Sequence, residues 1–222
     1  MVGRLVVVSG TGTGIGKTHV AEALLLALGH RGIRAAGIKP VETGFDGSPT
    51  SDEARLARAS PFHVKHSGVR FSDPVSPHLA AREAGRVIAL ADLVAEIEAL
   101  RCHAEVVLAE LAGGLFSPLS DTETNADLAN ALRPDVLLLV APDRLGVLHD
   151  VIAATRAAEA GALPVDGIVL VAPDHPDTST GRNAPEIARM RAIPVFGPVP
   201  RGSPEDLSRD PDLLAIASRV AP

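Results

Sequence analysis

Ser9-Gly10-Thr11-Gly12-Thr13-Gly14-Ile15-Gly16-Lys17-Thr18 gathers four glycines, four hydroxyls and one lysine into ten residues. It stands between the apolar run Leu5-Val6-Val7-Val8 and a helical pattern from about Lys17 to His30, with Ala21, Leu24, Leu25 and Leu28 at core spacing. A strand, a glycine turn and a helix start in that order make an anion cradle. Glycine lets the backbone turn with its N–H groups inward, and the helix end adds a positive partial charge. Lys17 would bring a full charge to the outer phosphates of a nucleoside triphosphate, with the Thr18 hydroxyl on Mg²⁺. The spacing is not the usual one: five residues rather than four separate Gly10 from Gly16, and Thr11 takes the strict glycine position. No Gly-x-Gly-x-x-Gly register fits, which excludes a dinucleotide fingerprint. The alternative is a flexible loop that only closes a βα unit.

Two more segments carry charge to apparent strand ends. Ala35-Ala36-Gly37-Ile38 reads as a short strand running into Lys39-Pro40-Val41-Glu42-Thr43-Gly44. Ala104-Glu105-Val106-Val107-Leu108-Ala109 reads as another, delivering Glu110 ahead of Leu111-Ala112-Gly113-Gly114. Ligands of open α/β sheets collect outside the carboxyl ends of strands, so Lys39 belongs beside the phosphate loop; the other reading is a surface lysine. An acid at the end of a buried strand, followed by paired glycines, suits a second metal ligand or a water-orienting group. Lys17, Lys39 and Lys65 are the only lysines, and the other 18 of 21 basic residues are Arg. A lysine is a compact point charge where arginine is a planar fork, so lysine at two strand ends fits phosphate chemistry. Asp52, within Thr50-Ser51-Asp52-Glu53, is open between capping a helix over Glu53 to Ala59 and binding Mg²⁺.

The elements that must position these groups alternate along the chain. Helical patterns run from Pro77 to a stop at Gly85, from Leu90 to Leu100, from Asn125 to Leu132, and from after Asp143 to about Ala160. Two more cover Asn183 to Ala192 and Pro211 to Val220. Asp135 to Ala141, Val165 to Ala172 and Pro194 to Pro200 read as strands, Phe45 to Thr50 as loop, and Phe71 to Pro77 as proline-interrupted. Alternation of this kind predicts an α/β fold with a mainly parallel β-sheet flanked by helices on both faces, as a single domain over 1–222.

Composition narrows the function. At 46% hydrophobic, 222 residues bury a sizeable core and do not read as disordered. The longest apolar runs, such as Val136 to Ala141, are too short to span a bilayer, and the early phosphate loop leaves no room for a signal peptide. One cysteine, Cys102, excludes an internal disulfide and a cysteine-rich zinc site, which fits the cytoplasm. A net charge of −6 without Trp or Tyr argues against nucleic-acid binding.

Taken together these stretches resemble the dethiobiotin synthetases, whose phosphate loop also holds five residues between its glycines. The matching segments are Gly10 to Thr18, Lys39 to Gly44, Ser51-Asp52, Ser76-Pro77-His78-Leu79-Ala80-Ala81, Glu110 with Ala112-Gly113-Gly114, Pro118-Leu119-Ser120-Asp121, Leu145-Gly146 and Gly197-Pro198-Val199-Pro200. The resemblance implies a P-loop NTPase-type homodimer that joins CO₂ to the diamino acid 7,8-diaminononanoate at the expense of ATP. A carbamate of one amine attacks the γ-phosphate, and the second amine closes a ureido ring and releases phosphate. By position, Thr18, Asp52 and Glu110 would hold Mg²⁺, and Lys17 and Lys39 would be catalytic. Thr13, Gly14, Ile15, Gly16, His19, Gly113 and Pro200 would complete the ATP contacts. Thr43 would contact the substrate, and Gly146, Val147, Leu148 and His149 would offer backbone N–H groups to its carboxylate across the dimer interface. This chain departs from the family at Leu111, where glycine is usual and a side chain adds bulk beside the ligand. It has His149-Asp150 where Asn-His is common, and Val171 at the strand end that normally presents an adenine-reading Asn. A partitioning or assembly ATPase, switched by nucleotide, and a related ligase with another substrate are the alternatives.

Overall fold

Strands that are apolar on both faces need cover on both faces, and this chain supplies it. The computed structural model describes residues 2–62 and 68–222; Lys65 falls outside them. Its strands are β1 (Arg4–Gly10), β2 (Ala35–Ile38), β3 (Val41–Thr43), β4 (Val69–Phe71), β5 (Val106–Glu110), β6 (Val136–Pro142), β7 (Gly167–Val171) and β8 (Val195–Val199). Its helices are α1 (Lys17–His30), α2 (Asp52–Ala59), α3 (Pro77–Glu83), α4 (Leu90–Arg101), α5 (Asn125–Leu132), α6 (Val147–Ala160), α7 (Asn183–Met190), α8 (Pro204–Leu207) and α9 (Pro211–Val220). Six strands form one parallel sheet in the order β2-β5-β1-β6-β7-β8. Alternate β1 residues serve the two layers. Val6 and Val8 pack with Leu24, Leu28, Leu213 and Ile216 of α1 and α9, and Leu5 and Val7 with Ile97, Leu100, Leu128 and Leu132 of α4 and α5. The expected parallel sheet with helices on both faces is therefore the observed one.

The chain leaves β1 toward β2 on one side, while β6 lies on the other. The carboxyl ends of β2, β5 and β1 thus meet at the point where the strand order reverses, where such sheets form a crevice.

Three details differ from the sequence reading. Val41–Thr43 and Val69–Phe71, which the sequence pattern assigns to no strand, form a second sheet of two parallel strands. Three-residue strands are too short to show a period of two. A short helix, α8, follows Ser203, whose Oγ accepts from the Asp206 N–H at 3.1 Å. The cap of α2 is Ser51, with Oγ accepting from the Ala54 N–H at 3.3 Å, so Asp52 is the first helical residue and its carboxylate is free for another partner.

Candidate active site

The phosphate loop turns where glycine allows it. Gly16 sits at the N-cap of α1 with φ 98°, in the left-handed region, and a Cβ there would also come within 3.0 Å of Val171 Cγ1. The turn places the first N–H groups of α1 over a cavity of about 740 Å³ that Thr13, Gly14, Ile15, Gly16, Lys17, Thr18 and His19 all line. Lys17 is buried and its Nζ donates to the Gly12 carbonyl at 2.7 Å. Its pKa is lowered to about 8, chiefly by burial, with Glu110 and then Asp52 partly offsetting the drop and Lys39 adding to it. It stays mainly protonated at neutral pH and is poorly solvated, so an anion gains more from it than from a surface lysine.

Strand order supplies the rest. β5 lies between β2 and β1, so Glu110 emerges between Lys39 and the phosphate loop. Lys39 Nζ donates to Glu110 Oε1 at 2.5 Å and to Asp52 Oδ2 at 2.8 Å, and Thr18 Oγ1 donates to the same Glu110 oxygen at 2.9 Å. Lys39 is 4% exposed and Glu110 fully buried. Burial alone would pull the Lys39 pKa down, but the two carboxylates outweigh it and raise the value. At Asp52 burial pushes upward, and the Lys39 ammonium outweighs it and lowers the value. The arrangement is a buried ammonium held between two carboxylates beside a phosphate cradle.

Thr43, Gly113, Asp52 and Glu110 also line the cavity, so the phosphate loop, Lys17, Lys39, both acids and Thr43 share one space. Pro200 does not line it; Arg201, the next residue, does, and the Pro200 backbone lies against His19. Gly146, Val147, Leu148 and His149 are not brought into it either. They open α6 beyond β6, on the far side of β1 from Lys39, with Val147 buried against β7 and Gly146 and His149 exposed. Sequence reasoning missed Glu42, Arg55, Ser117 and Arg201, which the cavity also gathers. Glu42 sat within the segment already singled out; the other three carried no local signal.

The family model described as an AAA domain matches residues 4–206. An ATP-dependent dethiobiotin synthetase BioD of Caulobacter sp. (strain K31) is 41% identical over 228 residues, covering 97% of this chain and 95% of that protein. The protein of the same name from Anaeromyxobacter dehalogenans (strain 2CP-C) is 41% identical over 188 residues, covering 82% and 83%. The chain belongs to the dethiobiotin synthetase family. The cell division ATPase MinD of Pyrococcus furiosus superposes with a TM-score of 0.60 at 18% identity over 98% of both chains. At that identity it shares the fold, a P-loop NTPase sheet, and nothing narrower.

For a dethiobiotin synthetase, one of the unusual residues lies elsewhere than the sequence suggested. Leu111, expected to crowd the ligand, is 1% exposed and packs into the core under α4 and α5, because the chain turns its side chain inward as it leaves β5. Its N–H donates to the Val8 carbonyl at 2.9 Å. Leu111→Gly is therefore expected to destabilise this synthetase by about 2–5 kcal/mol, as for other core truncations, while leaving KM for ATP little changed. Urea denaturation with steady-state kinetics checks both; a tighter KM at full stability would return Leu111 to the ligand. Val171 is the last residue of β7, at the strand end where the sequence puts it, and lies buried against Gly16 of the phosphate loop.

Proposed function

We propose that this chain carboxylates 7,8-diaminononanoate with CO₂ and closes the product to dethiobiotin, consuming ATP, as the family's name implies. The observation that carries the reading is the position of Lys39. It follows the end of β2 and reaches the acids that border the phosphate loop, in the cavity that Thr43 at the end of β3 also lines. A nucleotide switch has no need of a second buried lysine poised over an acceptor.

Residues 1–222 work as one domain, since the six-stranded sheet draws on residues 4 to 199 and α9 packs against α1. Thr18, Asp52 and Glu110 would hold Mg²⁺. Their fit rests on chemistry present in the site: Glu110 Oε2 is buried without a hydrogen-bond partner among the described residues, and two carboxylates with one hydroxyl suit a cation that keeps water and phosphate oxygens. When bound with the triphosphate, Mg²⁺ supplies charge neutralisation on the phosphate oxygens. Lys17 and the N–H groups of Gly14 to Thr18 bind the phosphates. Lys39 offsets the charge that gathers on the transferring phosphoryl group as a carbamate oxygen attacks and ADP leaves. The second amine then attacks the carbamoyl carbon, phosphate departs with the bond electrons, and the ureido ring closes. Thr43 holds the acceptor near this point. Gly146 to His149 serve the carboxylate of the substrate in the partner subunit of a homodimer, since within one chain they open α6 away from the cavity.

The protein acts in the cytoplasm on small molecules, without nucleic acid or membrane. No helix among the described residues is long and apolar enough to cross a membrane. Incubation with Mg-ATP, bicarbonate and the diamino acid should give the cyclic urea by mass spectrometry, with one ATP consumed per product. ATP hydrolysis without that product would overturn the assignment.

A further inference from the structure

Glu42 lies between Lys39 and Thr43, is 6% exposed and lines the cavity, yet no step above uses it. Its two oxygens are engaged ten residues away. Oε1 accepts from the Asp52 N–H at 2.7 Å, and Oε2 accepts from the Glu53 N–H at 3.2 Å. These are the first two amides of α2, donors that no helical carbonyl can satisfy. With Ser51 taking the Ala54 N–H, the first turn is capped from two sides, one local and one from β3. A carboxylate suits the remote side: it offers two acceptors and a negative charge to the positive end of a helix.

Arg70 of β4 closes the arrangement. Its Nε donates to Glu53 Oε2 at 2.5 Å and lies 3.9 Å from Glu42 Oε2, and its Nη1 donates to the Lys39 carbonyl at 3.1 Å. The strand that carries the acceptor-side Thr43 is thereby tied to the helix turn that carries Asp52.

We propose that Glu42 is a positioning residue for phosphoryl transfer: a remote cap that fixes the first turn of α2 and so holds the Asp52 carboxylate toward Lys39 and the metal. This rests on the reading of Asp52 as a Mg²⁺ ligand. Loss of the cap leaves Asp52 present but free to turn away, which weakens metal binding without removing a charged group from the reaction.

The test compares Glu42→Ala and Glu42→Gln with Asp52→Asn in the full-length enzyme. The readouts are rate against Mg²⁺ at saturating ATP and diamino acid, and amide hydrogen exchange at residues 52 and 53. Glu42→Ala should raise the Mg²⁺ needed for half-maximal rate roughly tenfold, the scale of losing an outer partner of a ligand. Excess Mg²⁺ should restore most of the rate, and both amides should lose protection. Glu42→Gln keeps one carbonyl acceptor, so its shift should be smaller, and it carries the test if the alanine variant folds poorly. A rate lowered by the same factor at every Mg²⁺ concentration would show a structural role alone and overturn the inference. An unchanged Mg²⁺ requirement in the Glu42 variants, with a raised one in Asp52→Asn, overturns the inference and spares the reading of Asp52. An unchanged requirement in all of them overturns both.

Discussion

Replacing Lys39 with alanine is expected to cut turnover by roughly 10²–10³, the scale of losing one preorganised charge-stabilising donor. The same substitution should cost stability. Glu110 is fully buried, and Lys39 is the ammonium against it. Breaking a buried pair by removing one partner leaves the other charge uncompensated, at about 3–5 kcal/mol. Urea denaturation in chelator should therefore show a large loss in Lys39→Ala. Lys39→Arg should recover part of the stability and little of the rate, because a planar fork does not reproduce a point charge placed between Glu110 and Asp52. Wild-type turnover in Lys39→Ala at saturating Mg-ATP would remove this residue from the reaction.

Lys17→Ala should lose turnover on a similar scale, roughly 10²–10³, but with the opposite effect on the fold. Lys17 donates to the Gly12 carbonyl, and burial is the largest influence on its pKa. A lysine whose pKa falls from 10.5 to about 8 is held in its charged form at a cost below pH 8. The unfolded chain binds the extra proton between about pH 8 and 10.5, so this group's penalty is full below pH 8 and fades as pH rises through that window. Removing Lys17 should accordingly leave stability at pH 7 unchanged or slightly raised. Paired denaturation and kinetic measurements separate the two lysines: one variant loses both properties, the other only the rate. Equal stability losses in both would show that Lys17 is also a structural counter-ion.

Local chemistry made much of the site legible. The glycine turn with Lys17 and Thr18 at a helix start can be read without a fold, because a left-handed Gly16 and an anion cradle are properties of a few adjacent residues. Lys39 and Glu110 were legible as strand-end charges for a related reason, since a buried strand delivers its next residue to the sheet's edge. The alternation of apolar runs and helical periods likewise determined the parallel sheet covered on both faces.

Tertiary structure decided which of these groups touch. Thr18 and Glu110 are 92 residues apart, Lys39 and Glu110 71 apart, and they meet because β5 inserts between β2 and β1. Strand order depends on long-range pairing and helix packing, and no short segment encodes it. The facing of Leu111 into the core depends on how the chain exits β5 beside β1. That Ser51 caps α2 from its own turn and Glu42 from β3, leaving the Asp52 carboxylate to Lys39, shows only in the fold, since β3 is too short to leave a pattern. Residue types set the available chemistry; the packing of distant segments set its geometry.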